Sequence, residues 1–288
     1  MTSRVLIHDG SFPGFLCAGA ELLNAISGTD VKGAASVAAS DILVRGRAVG
    51  IDLFEDAEPV PRDDCRARKL WDRLVKRVGK EASFSVMEAF LSDVPGADQA
   101  AARMMIRLWR EGAKALDDLS DPNAALVEKA SCRTTKESHR FLGLVRFSEL
   151  SDGSWYSRID PDCDILSLIA EHFALRFPSM RWAIHDGRRG TAILHESGRQ
   201  WLKVEDFRVN FAEPAIADGP EAAQPGSGLP LSESELLLRR AWKRYFTVIA
   251  IQSRTNPRLQ ASFMPKKHWK NITEMAPDFS LDDPAAQA

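Results

Sequence analysis

Arg181-Trp-Ala-Ile-His-Asp-Gly-Arg-Arg-Gly-Thr-Ala-Ile-Leu-His195 is the stretch that decides the fold of this chain. Two short apolar runs, Arg181–His185 and Thr191–His195, flank the dipeptide Asp186-Gly187, and this arrangement is typical of a β-hairpin. Two adjacent arginines, Arg188 and Arg189, lie at the predicted tip. The stretch therefore predicts both a pair of strands and a basic turn.

The segments on either side of this hairpin extend it to a larger sheet. A β-rich pair, Phe141–Phe147 and Trp155–Ile159, flanks the turn signal Ser151-Asp-Gly-Ser154. A helical pattern over Asp164–Phe177 and a last strand, Gln200–Val204, complete the order ββαβββ. We therefore predict an α+β fold, with an antiparallel sheet over residues 140–210 and a helix on one of its faces.

The N-terminal half, residues 1–138, has a mostly helical pattern. It opens with a strand, Arg4–His8, which a buried helix over Ser11–Asn24 follows. A weaker β-like stretch covers Asp41–Arg45 and Ala48–Phe54, and residues 64–130 show the apolar stripes of successive helices. The sequence thus predicts a helical part that precedes the sheet part.

The C-terminal part, residues 231–275, carries the clearest helix signal in the chain. Ser232 and Glu235 form an S-x-x-E capping box, and a long amphipathic helix is predicted over residues 232–254. Trp242 and Phe246 fall on its apolar side, so both are predicted to pack in the core. We predict a loop or linker over residues 213–230, a disordered tail over 276–288, and one domain over 1–275.

Charge and composition limit the classes of function. The 288 residues carry a formal net charge of −2, so any affinity for nucleic acid has to come from local patches. The four cysteines are far apart and lack metal-ligand spacing. No apolar run approaches the roughly 20 residues of a membrane span. We expect a cytoplasmic protein with reduced thiols and no association with a membrane.

Local basic patches do occur. From Arg239 to Lys270 the chain has no Asp or Glu, and aromatic residues lie among its arginines and lysines. A surface of one sign beside aromatic side chains suits a polyanion such as DNA. A solvated basic helix and a solvated hairpin turn are the alternative interpretations. The predicted DNA-binding residues are Arg140, Arg146, Arg188, Arg189, Arg240, Lys243, Arg244, Arg254, Arg258, Lys266 and Lys267.

Catalytic chemistry has a weaker sequence signal. A candidate pocket combines Asp9, His139, His185 and Asp186, with His185 or Asp186 in acid–base work. The chain lacks the G-x-S-x-G, P-loop and G-x-G-x-x-G motifs, and its histidines and cysteines lack zinc-ligand spacing. We therefore predict no cofactor and no bound metal, and we leave the catalytic residues unassigned.

A set of short segments, spread over most of the chain, carries a family resemblance. They are Asp9–Phe12, His139–Phe147, Ile159–Asp162, His172–Phe177, Trp182–Gly190, Trp242–Phe246, Asn256–Gln260 and Phe263–Pro265. In order and spacing they resemble a bacterial family of unknown activity that is described as DNA metabolism proteins. The resemblance implies a setting: members are typically encoded beside a radical SAM protein with helix-hairpin-helix DNA-binding elements. Some members are fused to a domain of the uracil-DNA glycosylase superfamily.

These observations lead to three hypotheses. The first is a DNA-binding accessory protein of a DNA repair or base-modification system, which contacts backbone phosphates and acts with the radical SAM partner that the resemblance implies. The second is an enzyme that acts on a nucleobase in DNA, which requires a pocket around His185. The third is an interaction subunit that binds no DNA and docks on the partner enzyme through Phe263–Trp269.

Overall fold

The chain forms two compact units in a computed structural model that describes residues 4–27, 42–46, 56–208, 231–249 and 256–275. The first unit comprises Met1–Lys136 and Asp162–Asp164, and the second comprises Glu137–Pro161 and Ile165–Ala288. The predicted change of character near residue 139 thus lies close to the boundary between the units. The predicted linker, 213–230, and the predicted tail, 276–288, lie outside the described residues.

The first unit begins with a three-stranded parallel sheet in the order β2-β1-β3. The central strand β1 (Arg4–His8) pairs with β2 (Ile42–Gly46) and with β3 (Asp56–Pro59), and helix α1 (Phe12–Ser27) follows it directly. The structure confirms β1, α1 and the strand predicted near Asp41–Arg45. The predicted strand residues 48–54 lie outside the described residues, and β3 was not predicted.

Four further helices follow the parallel sheet. Helix α2 starts at a capped end, because the side chain of Asp63 accepts a hydrogen bond from the backbone of Arg66 at 3.0 Å. Gly79, at a φ of 87°, separates α2 from the next helix. Buried Leu, Met and Ala side chains of α1, α2, α3 and α4 form one core. The helices are α2 (Asp64–Val78), α3 (Lys80–Phe90), α4 (Ala97–Glu111) and α5 (Pro122–Leu144).

Helix α5 corrects one prediction. The segment Phe141–Phe147 was predicted to be a strand, but α5 continues to Leu144 and a two-residue strand, β4 (Ser148–Glu149), starts only after it. Phe141 and Leu144 are both buried, at the spacing of one helical turn. A short apolar run fits a strand and a buried helix end equally well, and here the helix that precedes it decides the outcome.

The second unit contains a five-stranded sheet in the order β4-β5-β6-β7-β8. Its longer strands are β5 (Trp155–Ile159), β6 (Trp182–Asp186), β7 (Thr191–His195) and β8 (Leu202–Val204). The α+β class is confirmed, and the sheet is mostly antiparallel. One pair differs from the prediction: β5 and β6 are parallel, because helix α6 (Leu166–Arg176) returns the chain to the end where β5 began.

Strand alternation gives this sheet two different faces. Trp182, Ile184 and Asp186 of β6 lie on the side that α6 covers, where the rings of Trp182 and Phe173 are 6.5 Å apart. Ala183 and His185 point to the opposite side. The cross-strand register places Arg158 beside His185. The opposite face is therefore the more polar one, and it carries the candidate site.

The C-terminal part is made of shorter elements than predicted. Helix α7 (Glu233–Ile249) and helix α8 (Pro257–Phe263) precede a 3-10 helix, Lys266–Asn271, and a single long C-terminal helix is not seen in the described part. Residues 250–255 lie outside the described residues. The predicted cap is present, since Ser232 Oγ accepts from the backbone of Glu235 at 3.0 Å. None of the described helices is long and apolar enough to cross a membrane.

Candidate nucleic-acid interface

The candidate site lies at the carboxyl ends of the parallel strands β5 and β6. Ile159 pairs with Asp186 at the last position of both strands, and the backbone N–H of Gly187 donates to the carbonyl of Ile159 at 2.9 Å. The loops that follow both strands therefore leave the sheet at the same end. We name this end, around Ile159 and Asp186, the carboxyl edge of the sheet. In open sheets, ligands commonly bind beyond the carboxyl ends of parallel strands.

Asp186 holds the turn that carries the two predicted arginines. Its carboxylate is fully buried, and Oδ1 accepts from the backbone N–H groups of Arg188 at 2.9 Å and Arg189 at 3.3 Å. Oδ2 accepts from Nη1 of Arg189 at 2.8 Å. Asp186 is thus a structural residue of this turn, and its neighbour in sequence, His185, points to the other face of the sheet.

The two arginine side chains converge on one acceptor. Nη1 of Arg188 and Nη1 of Arg189 each donate to the carbonyl oxygen of Pro161 at 3.3 Å. Pro161 lies just beyond β5, so the guanidinium groups stand side by side at the carboxyl edge of the sheet. Both arginines are exposed, and paired guanidinium groups suit the oxygens of a phosphate.

Two further cations lie at the same edge, around Asp160. The carboxylate of Asp160 accepts from Asn271 Nδ2 at 2.8 Å and pairs with Lys270 at 3.0 Å and with Arg158 at 3.5 Å. Burial opposes ionisation of this carboxyl, yet the hydrogen bonds from Asn271 and Lys270 and the charge of Arg158 hold its pKa below the usual value. Asp160 therefore fixes Arg158 and Lys270 in place.

Gly187 allows these groups to come close. A Cβ atom at this position would lie 2.6 Å from Nε of Arg158 and 2.7 Å from Oδ1 of Asp160. The absence of a side chain at Gly187 thus leaves the space that the Arg158 head occupies. The structure gives this glycine a role in the site as well as in the hairpin.

A tyrosine–histidine pair, Tyr156 and His185, lies on the polar face of the same two strands. The hydroxyl of Tyr156 is 2.7 Å from Nδ1 of His185. Burial raises the pKa of Tyr156 to about 12. Burial and the charge of Arg158 lower the pKa of His185. The direction of their hydrogen bond depends on the tautomer of the His185 ring.

The other two members of the predicted pocket are Asp9 and His139. Asp9 belongs to the first unit, where its Oδ1 accepts from the backbone N–H and the hydroxyl of Ser11 at 3.0 and 2.6 Å, and Ser11 Oγ in turn accepts from the backbone N–H of Gly14 at the start of α1. His139 is exposed on α5. The second unit contains a cavity of about 560 Å³, and the described residues that line it include Glu171, Leu175, His195 and Trp201. His185 and Asp186 do not line this cavity.

The burial of side chains on helix α7 differs from the prediction. Trp242 is 45 % exposed and Phe246 is 39 % exposed, so the prediction that both pack in the core is wrong. The buried side chains of the helix are instead Glu235 and Lys243. Large apolar side chains of the same helix face solvent together with the two aromatics: Leu237, Leu238, Tyr245, Val248 and Ile249.

The predicted DNA-binding residues fall into three groups. The first group has two members: Lys243 is buried, and Arg146 pairs with Glu274 at 3.0 Å. The second group is Arg254 alone, which lies outside the described residues. The members of the third group are exposed: Arg140, Arg188, Arg189, Arg240, Arg244, Arg258, Lys266 and Lys267. The exposed group contains the two arginines at the carboxyl edge and the two on α7.

Sequence reasoning missed several residues of this site. Tyr156 and Arg158 are two residues apart on β5, and this spacing places them on the same face of the sheet. The sequence does not reveal which strand lies beside β5. Lys270 and Asn271 reach Asp160 from more than a hundred positions away in the chain. No group of three His, Cys, Asp or Glu side chains that could hold a metal is present among the described residues.

Comparison with known proteins gives one match. A family model described as a domain of unknown function, DUF4130, matches residues 95–274, which include the whole candidate site. No curated protein and no solved structure matches the chain.

Proposed function

The chain belongs to the DUF4130 family, a domain of unknown function, and from its residues and the family resemblance described above we propose that it is a cytoplasmic DNA-binding accessory protein of a DNA repair or base-modification system. The observation that carries the proposal is the convergence of Arg188 and Arg189 on the carbonyl of Pro161. Phosphate oxygens of a DNA backbone would bind there, and the contacts would position DNA without selecting a sequence.

The charges around this pair support the proposal. Arg158 and Lys270 lie at the same edge, and together with Arg188 and Arg189 they outnumber the carboxylates Asp160 and Asp186. The chain as a whole has a formal net charge of −2, so a general attraction to polyanions does not account for such a cluster. A local excess of positive charge at a sheet edge is suited to the backbone of a nucleic acid.

The proposed radical SAM partner comes from the family resemblance described above. Proteins of that family are typically encoded beside a radical SAM protein with DNA-binding elements, so we propose that this chain presents DNA to such an enzyme. The accessory protein would supply affinity for the backbone, and its partner would supply the chemistry on the base.

A salt series tests DNA binding. Fluorescence anisotropy of a labelled oligonucleotide is measured at several salt concentrations for the wild type and for the double variant Arg188→Gln/Arg189→Gln. We expect log Kd to depend linearly on the logarithm of the salt concentration. The slope should fall by about 1–2 in the variant, because binding releases about one counterion fewer for each phosphate contact that is lost. A slope near zero for the wild type would contradict the proposal.

The matched control is Arg181→Gln/Arg199→Gln. It removes the same charge from exposed positions of the same unit, where Arg181 pairs with Asp152 and Arg199 pairs with Glu196. The control should keep the slope of the wild type. Equal losses in both double variants would show that net charge, rather than the carboxyl edge, determines binding.

An enzyme acting on a nucleobase is the second candidate, and the Tyr156–His185 hydrogen bond favours it. A neutral imidazole in contact with a phenol can accept a proton from, or form a hydrogen bond with, a base that has left the stack. Mass spectrometry of oligonucleotides with modified bases, incubated with the wild type and with His185→Gln, would detect this activity. Unchanged oligonucleotides in both reactions would count against an enzyme.

A subunit that binds no DNA is the third candidate. Phe263 is 72 % exposed and Trp269 is half-buried, so part of the predicted docking segment faces solvent. Co-purification with the radical SAM partner, combined with no affinity for DNA at low salt, would favour this candidate over the first.

A further inference from the structure

The end of the sheet opposite to the carboxyl edge carries a cavity that the proposed function does not use. It lies within the second unit, between the second half of α6 and the turn that joins β7 to β8. From the side chains that line it, we infer that this cavity binds an organic cation, with a protonated amine or a guanidinium group as the part that is recognised. The inference goes beyond DNA binding, and a different end of the sheet carries it.

The register of the sheet separates this cavity from the carboxyl edge. His195, the last residue of β7, lines the cavity and pairs with Trp182, the first residue of β6. Asp186 is the last residue of the same strand, and the rise of β6 between Trp182 and Asp186 is about 13 Å. A small ligand in the cavity is therefore recognised by groups other than the two arginines at the carboxyl edge.

The size and the apolar walls of the cavity suit a small organic molecule or one long side chain. Its volume is about 560 Å³, and sites for small organic ligands have volumes of roughly 300–1,000 Å³. Ala174, Leu175 and Pro178 line one part of it, and the half-buried Trp201 lines another. These side chains offer apolar contacts to an aliphatic chain or a flat ring.

A carboxylate is held in the wall of this cavity. Oε2 of Glu171 accepts from the indole Nε1–H of Trp201 at 3.1 Å, and this bond joins α6 to the β7–β8 turn. Arg199 also lines the cavity, but its guanidinium pairs with Glu196 at 3.0 Å. Glu171 forms no ion pair with any residue that the structure describes. Its negative charge is therefore available to a cationic ligand.

A buried imidazole supplies a second acceptor. His195 is 4 % exposed, and its ring stacks on that of Trp182, with centroids 5.0 Å apart and planes inclined by 12°. Nδ1 of His195 lies 3.0 Å from the carbonyl oxygen of Met180. Because a carbonyl oxygen only accepts, Nδ1 carries the proton, and Nε2 of the neutral ring is an acceptor. Over the described ranges of the chain, Nε2 has no hydrogen-bond partner.

The chemistry of these groups determines the class of ligand. The carboxylate of Glu171 and Nε2 of His195 both accept, so the ligand has to bring N–H donors. The charge of Glu171 favours a cationic donor, since hydrogen bonds between charged groups are the stronger ones. A protonated amine or a guanidinium group on a hydrocarbon body meets both requirements and also fits the apolar walls. A phosphate group is disfavoured, because the carboxylate repels it.

Calorimetric titration of the full chain with benzamidine and with benzamide tests the charge of the ligand. The two probes have the same ring and nearly the same shape, but only benzamidine carries a cationic group. We expect benzamidine to bind at least about tenfold more tightly, because its hydrogen bond to the carboxylate joins two charged groups. This comparison uses the wild type alone, so it does not depend on the folding of a variant.

The variant Glu171→Gln tests where the cation binds. It removes the charge and keeps an oxygen that can accept from the indole of Trp201. We expect the affinity for benzamidine to fall about ten- to a hundredfold, while the affinity for benzamide changes little. Glu205→Gln is the matched control, since it removes the same charge from an exposed position of the same unit that does not line the cavity. Circular dichroism confirms that both variants keep their fold.

An NMR titration places the ligand in the cavity by a second route. The indole N–H of Trp201 donates to the carboxylate that would bind the cation, so its resonance should shift as benzamidine is added. The variant Trp201→Phe assigns this resonance, because the signal disappears there.

The same titration identifies the source of the cation. Agmatine represents a free small molecule, and the capped peptide acetyl-Gly-Arg-Gly-amide represents an arginine side chain of a protein partner. Both carry a guanidinium group on an aliphatic chain. Tighter binding of agmatine supports the inference with a free cation as ligand, and tighter binding of the peptide supports it with a partner's side chain as ligand.

Three results would overturn the inference. They are the absence of saturable binding of benzamidine, equal affinities for benzamidine and benzamide, and equal losses of affinity in Glu171→Gln and Glu205→Gln. Each of them leaves the proposed function in place, because no DNA is present in these titrations. The salt series described above tests DNA binding separately.

Discussion

The hydroxyl of Tyr156 and Nδ1 of His185 lie 2.7 Å apart on neighbouring parallel strands. Arg158 stands beside His185 in the register of the same two strands. Burial and the charge of Arg158 both lower the pKa of His185. The pKa of His185 therefore depends on the charge of Arg158.

Removing the charge of Arg158 should raise the pKa of His185. The pKa of this ring lies below its ordinary value of 6.5, first because of burial and second because of Arg158. In Arg158→Gln the second cause is gone, so the pKa should move upward. An NMR titration of the histidine ring nitrogens measures the shift. Arg181→Gln is the control, and an equal shift there would refute the local explanation.

Gly187→Ala should weaken both DNA binding and the fold. The new Cβ atom would lie 2.6 Å from Nε of Arg158, whose long side chain can move away, and 2.7 Å from Oδ1 of Asp160, which Asn271 and Lys270 hold in place. We expect the free energy of unfolding to fall by about 1–3 kcal/mol. The affinity for DNA should fall, because Arg158 leaves the edge. Urea denaturation and anisotropy measure the two quantities, and a large loss of stability with unchanged affinity would contradict this prediction.

Asp186→Ala should destabilise the second unit. The buried carboxylate accepts from two backbone N–H groups and from Arg189, so its loss leaves these donors without their acceptor. We expect a loss of about 1–3 kcal/mol in the free energy of unfolding, measured by urea denaturation. Asp152→Ala is the control, because Asp152 also accepts from a backbone N–H, that of Ser154, but at an exposed turn. Similar losses in both variants would argue against a special role for Asp186.

Asp160 should contribute stability that disappears in acid. Its pKa in the folded chain is below the ordinary value of 3.8, so the unfolded chain takes up a proton first as the pH falls. The contribution is complete above the unfolded value and is lost as the pH drops through the folded value. The difference in unfolding free energy between wild type and Asp160→Asn should therefore shrink below pH 3.8. A difference that stays constant between pH 6 and pH 2 would contradict the prediction.

Local patterns predicted much of the fold. Strand β1, helix α1, helix α6 and strands β5 to β8 all follow from apolar runs with clear turn signals at their ends. The end of α5 was mistaken for a strand, because the apolar run Phe141–Phe147 is too short for its periodicity to distinguish a helix from a strand. The parallel pairing of β5 with β6 depends on the path of α6, which is a property of the whole unit.

The candidate site was predictable only in part. Arg188 and Arg189 were identified at the tip of the hairpin, since the dipeptide Asp186-Gly187 marks a turn. Asp160 and Lys270 were not predicted as site residues, because their contact joins distant parts of the chain. The burial of Trp242 and Phe246 was predicted wrongly, since a pattern of apolar and basic residues shows that a helix has two sides but not which residues its neighbours cover.

The acceptor shared by Arg188 and Arg189 is a main-chain carbonyl, that of Pro161. Every amino acid brings the same oxygen to that position, so replacing residue 161 tests its side chain and leaves the acceptor in place. Alanine scanning would consequently pass over the group that aligns the two arginines. Substitutions at position 161 in related proteins would likewise leave Arg188 and Arg189 side by side, provided that the backbone keeps its path.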